Sequence, residues 1–121
     1  MHPFPPADEL QFLIGEEVSQ VCLDPYGLQF RFVSLGQISV DWRIEHVDRD
    51  GQSHVHDCQA QTPEALYLQQ LLQHRITKVE TEPYCLSLTF DDGAVLQVFS
   101  YDGPYECGHI WSSGNQLALV F

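Results

Sequence analysis

Positive charge is scarce in this 121-residue chain, which has five Lys and Arg residues against 17 Asp and Glu and a formal charge of −12. A protein that grips nucleic-acid phosphates needs a basic face to neutralise them, and five scattered cations form none. Attraction to an anionic membrane surface is disfavoured for the same reason. The charge balance therefore predicts neither a nucleic-acid partner nor a membrane partner.

Long apolar runs and paired cysteines are also lacking. No run approaches the ~20 apolar residues of a membrane span, and the opening Met-His-Pro-Phe-Pro-Pro lacks the basic start and apolar stretch of a secretory signal. None of the cysteines shows the C-x-x-C spacing of zinc and redox sites; they are Cys22, Cys58, Cys85 and Cys107. We therefore expect a cytoplasmic protein whose thiols are free.

Signature motifs of catalysis and phosphate binding are missing as well. The chain contains no Gly-rich phosphate loop, no H-E-x-x-H and no G-x-S-x-G. No catalytic residue and no cofactor is therefore predicted, and the sequence gives no ground for classifying the chain as an enzyme. The oligomeric state is left open.

The chain does contain enough apolar material for one core. With 44% hydrophobic residues and a length near the commonest domain size, residues 1–121 are predicted to form a single domain. Shifting the sequence against itself by 58 positions aligns two halves without a gap, so we predict an internal duplication of about 10–57 and 66–121. The matches include Pro25-Tyr26 on Pro83-Tyr84, and Leu28, Phe30 and Phe32 on Leu86, Leu88 and Phe90.

Strict alternation of apolar and polar residues predicts half-buried antiparallel strands in both halves. Asp24-Pro25-Tyr26-Gly27 suits a type I turn, and Asp92-Gly93 predicts a further hairpin turn. The predicted strands cover about Val18 to Asp24, Gln37 to Val47, Ile76 to Glu82, Ala94 to Tyr101 and Gln116 to Phe121, besides the two alternating stretches above.

One helix is predicted at about 63–75, because Thr62 is a good N-cap, Pro63 suits the first helical position and leucines follow at helical spacing. Leu10 to Ile14 predicts a shorter helical turn at the corresponding place of the first half. The fold class is therefore α+β, mainly antiparallel β, with two repeated β-meander-like halves and one helix.

Several motifs together resemble a family of small bacterial domains of unknown function. Members show a Gly-x-x-Val start, a Phe-x-Asp-Gly hairpin, a Tyr-Glu-x-Trp segment and a Leu-Ala-Val terminal strand. Their counterparts here are Gly15 to Val18, Phe90 to Gly93, Tyr105-Glu106 and Leu117 to Val120. The chain departs from the pattern where Gly108 replaces the tryptophan and where Phe121 ends the last strand. The resemblance implies a fold and brings no catalytic residues.

Two stretches carry metal-ligating or nucleophilic side chains. On a strand, His54, His56 and Cys58 would share one face, and imidazole with thiolate suits zinc or copper. In an exposed connecting segment the same residues would be bystanders. Cys107 and His109 would need a bend at Gly108 to come within hydrogen-bond reach, and no third orienting group is evident.

An acidic surface is the remaining candidate site. The segment leading out of the third strand is crowded with Asp41, Glu45, Asp48 and Asp50. With Tyr105 and Glu106 these residues are predicted to contact a basic protein partner, as in an immunity-type or regulatory binding module without enzymatic activity. One alternative is that the acidity serves only solubility. The other is a small metal-binding or ligand-binding protein, or a minor enzyme, that uses the His and Cys residues.

Overall fold

The computed structural model describes residues 3–60, 68–114 and 116–121. These residues form ten strands and two short 3-10 helices, Ala7–Leu13 and Leu68–Leu71. The strands are β1 Val18–Asp24, β2 Gly27–Phe32, β3 Gln37–Val40, β4 Arg43–Val47, β5 Ser53–Asp57, β6 Ile76–Glu82, β7 Cys85–Phe90, β8 Val95–Phe99, β9 Gly108–Ser112 and β10 Gln116–Val120. The predicted fold class, α+β with mainly antiparallel strands, is confirmed.

The strands build two five-stranded antiparallel sheets, ordered β1-β2-β3-β9-β10 and β5-β4-β8-β7-β6. Each sheet takes three consecutive strands from one half of the chain and a two-stranded hairpin from the other half. The hairpin β9–β10 completes the first sheet beside β3, and the hairpin β4–β5 completes the second sheet beside β8. The two halves therefore exchange hairpins.

Corresponding elements of the two halves lie 58 residues apart in the structure. Strands β1 and β6 begin and end at this spacing, as do β2 and β7, and both pairs have a register shift at the same place. Even a side-chain contact repeats: Ser19 Oγ donates to the Arg31 carbonyl and Thr77 Oγ1 donates to the Thr89 carbonyl, each at 3.2 Å. The geometry of each half thus follows the spacing of the sequence repeat.

The halves meet at two residues that are themselves 58 positions apart. Glu17 and Arg75 form an isolated antiparallel bridge, and their side chains approach to 3.4 Å. Around them the hydrogen bonds are reciprocal, since Val18 N donates to the His74 carbonyl and Ile76 N donates to the Glu16 carbonyl. The junction therefore has local two-fold symmetry in its backbone contacts.

The single strand predicted from Gln37 to Val47 is wrong, because the chain forms two strands in different sheets there. Asp41 and Trp42 connect β3 to β4. The apolar alternation continues through the break because both sheets turn the same side of the chain toward one core. Residues 100–107 make the corresponding crossover from β8 to β9.

The predicted helix at about 63–75 is only partly testable, since residues 61–67 lie outside the described residues. Its second part is wrong. Only Leu68–Leu71 is helical, as a 3-10 helix, and Gln73 then adopts a left-handed conformation with a φ of 68°. His74 and Arg75 already join the junction between the halves, so long-range pairing ends the helix earlier than its capping residues indicate. The helical turn predicted at Leu10 to Ile14 is confirmed as part of Ala7–Leu13.

The inner faces of both sheets and the two 3-10 helices enclose one hydrophobic core. Its members that are less than 2% exposed include Leu13 and Leu71, one from each 3-10 helix. All four cysteines are free thiols, as predicted. Within residues 3–60, 68–114 and 116–121, no helix is long and apolar enough to cross a membrane.

Candidate functional site

The two crossovers between the sheets meet at a surface pocket with a volume of about 210 Å³. We call it the acid–aromatic pocket, and its lining residues are Asp41, Trp42, Gln59, Tyr101, Tyr105 and Glu106. Asp41 and Trp42 come from the β3–β4 crossover, and the tyrosines and Glu106 come from the β8–β9 crossover. The pocket thus joins residues that lie about 60 positions apart in the sequence.

Backbone hydrogen bonds hold the two crossovers together. Asp41 N donates to the Cys107 carbonyl at 2.8 Å. The carbonyl of Asp41 accepts a bond of 2.7 Å from the Gln59 side-chain amide, and Cys58 N donates to the Trp42 carbonyl at 2.7 Å. The floor of the pocket is therefore fixed by main-chain contacts rather than by mobile side chains.

Aromatic rings supply one wall and the rim. The rings of Trp42 and Tyr101 lie 4.7 Å apart at an angle of 58°, and both residues pack against the core. Tyr105 is 73% exposed and extends the aromatic surface outward. Because aromatic faces carry partial negative charge, this wall attracts a cation.

Carboxylates make the pocket electrostatically negative. The pKa of Asp41 is raised, chiefly by burial and further by Glu106 and Asp24, while His109 acts in the opposite direction. Glu106 Oε2 lies 3.1 Å from His109 Nε2. Since burial and like charges both penalise the ionised Asp41, a positive group that enters the pocket relieves the penalty.

The structure gathers only part of the predicted acidic surface. Asp41, Tyr105 and Glu106 line the pocket, whereas Glu45 accepts a hydrogen bond from Ser53 Oγ on the outer face of β4. Asp50 lies exposed in the β4–β5 turn. These two residues therefore belong to other parts of the surface.

Asp48 does not belong to an exposed acidic surface, in contrast to the prediction. The residue is 6% exposed, and its carboxylate accepts hydrogen bonds from the backbone amides of Asp50 and Gln52 at 2.9 and 3.0 Å. Its other oxygen lies 3.1 Å from His54 Nε2, and this hydrogen bond is the main reason that the pKa of Asp48 is lowered. Asp48 therefore orders the β4–β5 turn.

The predicted metal set His54, His56 and Cys58 is not assembled. Among the described residues, these three do not bring their ligand atoms into one closely spaced group. The two histidines are half-buried on one face of β5, as alternation requires, but Cys58 follows the strand and its Sγ donates to the Val40 carbonyl at 3.7 Å. Burial raises the pKa of the Cys58 thiol to about 11, which disfavours the thiolate that a metal needs.

A different trio, His74, Asp91 and Asp92, has metal-ligand spacing within the described part of the chain. His74 Nδ1 lies 2.6 Å from Asp91 Oδ1, and His74 Nε2 lies 3.7 Å from Asp92 Oδ2. In the first half, 58 positions earlier, Ser34 Oγ donates to the Glu16 carboxylate. Because both halves carry a side-chain contact here, we interpret the trio as a clasp between the hairpin turn and the junction.

Cys107 and His109 do not form a nucleophilic pair. Cys107 is fully buried, its backbone N–H donates to the Phe121 carbonyl, and His109 contacts Glu106 instead. Gly108 between them lies so close to its neighbours that a Cβ there would be 2.1 Å from the Ser39 carbonyl oxygen. This contact explains why a glycine, and not a tryptophan, occupies the position.

Sequence reasoning missed Trp42, Tyr101 and Gln59 as site residues. Trp42 was assigned to the core face of one long strand, which hid its place in a crossover. A usable signal did exist, because Trp42 and Tyr101 both lie near the ends of the third predicted strands, one in each half. The repeat thus indicated that the two aromatic residues occupy related places.

No family model matches the chain, and no significant match was found among curated proteins or among solved structures.

Proposed function

We propose that this protein is a non-enzymatic binding module that holds a basic protein partner at the acid–aromatic pocket. One observation carries the proposal: two carboxylates, Asp41 and Glu106, converge with the rings of Trp42 and Tyr101 on a pocket the size of one side chain. Carboxylate and aromatic groups together form the chemistry that recognises a cationic side chain. An immunity-type or regulatory protein that covers a basic surface of its target would use such a site.

The charge of the whole chain supports the same partner. With a formal charge of −12, the molecule attracts basic proteins over distances longer than a contact, and this steering speeds their association at low salt. The partner's positive side chain then finds a fixed, partly desolvated pocket. Long-range attraction and local recognition thus favour one class of ligand.

The proposal is tested with defined peptides and a matched pair of charge variants. Asp41→Asn removes a pocket carboxylate, whereas Asp50→Asn removes an exposed carboxylate at the opposite end of β4. Calorimetric titration at about 20 mM salt with a basic peptide should show roughly tenfold weaker binding by Asp41→Asn and little change for Asp50→Asn.

Two results would contradict the proposal. Equal weakening by both substitutions would mean that the peptide responds to net charge alone and that the pocket is irrelevant. Affinity that stays constant up to about 0.5 M salt would mean that charge does not drive binding at all. A neutral peptide of equal length serves as the control ligand.

A further inference from the structure

We propose that the group bound in the acid–aromatic pocket is a guanidinium, the side chain of an arginine on the partner, and that it displaces His109 from Glu106. This inference rests on the proposed function and specifies its ligand. Its three supports are the shape of the pocket, the aromatic wall and the contact between His109 and Glu106.

The pocket fits one extended side chain better than a larger molecule. Its volume of about 210 Å³ lies below the ~300–1,000 Å³ of pockets for drug-sized ligands. Asp41 lies on the floor, where the crossovers are hydrogen-bonded, and Glu106 is half exposed at the edge. A ligand with several donors in one plane can therefore reach both carboxylates from a single entry.

The aromatic wall favours arginine over lysine. A guanidinium is planar, stacks on aromatic faces and gives up water more readily than an ammonium group does. Trp42 and Tyr101 offer tilted ring faces next to Asp41, and exposed Tyr105 can cover a ligand from outside. An ammonium group would use the carboxylates but would gain less from the rings, and its desolvation would cost more.

His109 holds the place of the cation's charge at Glu106. The side chains of His109 and Glu106 are 31% and 50% exposed, so their contact of 3.1 Å is a surface pair that opens at little cost. The titratable groups that act on this site are Glu106 and Asp41 from the two crossovers. The strand partners of His109 are Ser39 on β3 and Val120 on β10, neither of which titrates.

Protonated His109 and an incoming guanidinium compete for the same carboxylate. Arginine binding therefore favours release of a proton from His109, and by linkage the affinity rises as the imidazole loses its charge. His109→Gln keeps a hydrogen-bond donor at the position but cannot be protonated. This variant should bind arginine with an affinity that hardly changes between about pH 5.5 and 7.5.

The test uses the full chain and two peptides that differ only in carrying one arginine or one lysine in a neutral sequence. We expect the arginine peptide to bind at least fivefold more tightly, measured from shifts of the Trp42 indole resonance. We also expect its affinity to rise severalfold from about pH 5.5 to 7.5 in the natural chain and to stay level in His109→Gln. A thermal midpoint within a few degrees of the natural chain's shows that the variant is folded.

Each other outcome overturns a separate part. Equal binding of both peptides, with loss in Asp41→Asn, would reject the arginine preference and leave the proposed function standing. The same pH slope in His109→Gln as in the natural chain would reject the role of His109. If neither peptide binds and a multivalent basic peptide also ignores Asp41→Asn, the proposed function itself is rejected.

Discussion

At the scale of single residues, His46 is the side chain whose environment departs furthest from its chemistry. It is fully buried on the inner face of β4, and neither ring nitrogen has a hydrogen-bond partner. Burial is the main reason that its pKa is lowered, and the nearby His54 ring, 5.9 Å away, adds to this effect. Asp48 and Asp92 oppose it. His46 is therefore held in its neutral form.

The burial of His46 predicts a loss of stability on mild acidification. Since its pKa is lower in the folded than in the unfolded chain, the unfolded chain takes up more protons as the pH falls below about 6.5, and the free energy of unfolding decreases there. His46→Leu should remove this part of the pH dependence. Urea unfolding at about pH 7.5 and 5.5 measures it, with His56→Leu, on the half-buried face of β5, as the matched control.

The other groups with lowered pKa values act in a different pH range. Asp48 and Asp91 are lowered from 3.8, mainly by hydrogen bonds to histidines, so their contribution is lost only at more acidic pH. If His46→Leu loses as much stability as the natural chain between about pH 7.5 and 5.5, the role assigned to His46 is wrong.

Gly108 is the residue least able to accept a side chain. A Cβ there would lie 2.1 Å from the Ser39 carbonyl oxygen and 2.5 Å from the Phe121 ring, so β3 or the chain end would have to move. We expect Gly108→Ala to lower the free energy of unfolding by at least about 2 kcal/mol. Gly51→Ala, which meets no atom within 4 Å but has a φ of 86°, should cost about 1 kcal/mol. Equal losses in denaturant titrations would refute the steric explanation.

At the scale of elements, the parts of the fold that local chemistry determines were predictable. The hairpins β1–β2 and β6–β7 have the predicted strand limits, because turn residues and alternation lie within one short segment. The crossover at Asp41 and Trp42 was not predictable, since the apolar alternation continues through it. The pairing of β3 with β9 also depends on contacts about 70 residues apart, for which a single sequence gives no signal.

The two 3-10 helices make a second prediction at this scale. Leu13 and Leu71, from corresponding positions of the two halves, are both at most 1% exposed. Replacing either by alanine leaves a cavity under one of the sheets, and we expect each variant to lose about 2–5 kcal/mol in urea unfolding. Leu72→Ala is the control, because Leu72 is 37% exposed. A loss in the control as large as in Leu71→Ala would contradict this assignment of the core.

At the scale of the whole molecule, the excess of negative charge was visible in the sequence, but the place where it becomes a binding site was not. Composition predicted a basic partner, and Asp41, Tyr105 and Glu106 were named for it. Their convergence depends on two crossovers meeting, which only the tertiary fold determines. Asp48 was misassigned because the sequence does not reveal that its carboxylate orders a turn.

Self-repulsion should make the folded chain sensitive to salt. With a formal charge of −12, like charges approach one another on folding, and salt screens them. We expect the thermal midpoint to rise by a few degrees between about 10 and 150 mM NaCl and equally in KCl. A variant with asparagine at the exposed positions Asp8, Asp50 and Asp102 should rise less. A midpoint that is independent of salt would contradict this expectation.

The exchange of hairpins between the halves also bears on the birth of the protein. Strands β1, β2 and β3 leave the ribosome early, but the strand that pairs with β3 is β9, residues 108–112. Until those residues have been synthesised, the hydrogen-bonding edge of β3 stays open, and an open edge invites aggregation. The first sheet must therefore be completed late in synthesis or after it, so that a nascent chain of about 100 residues is the form most in need of a chaperone.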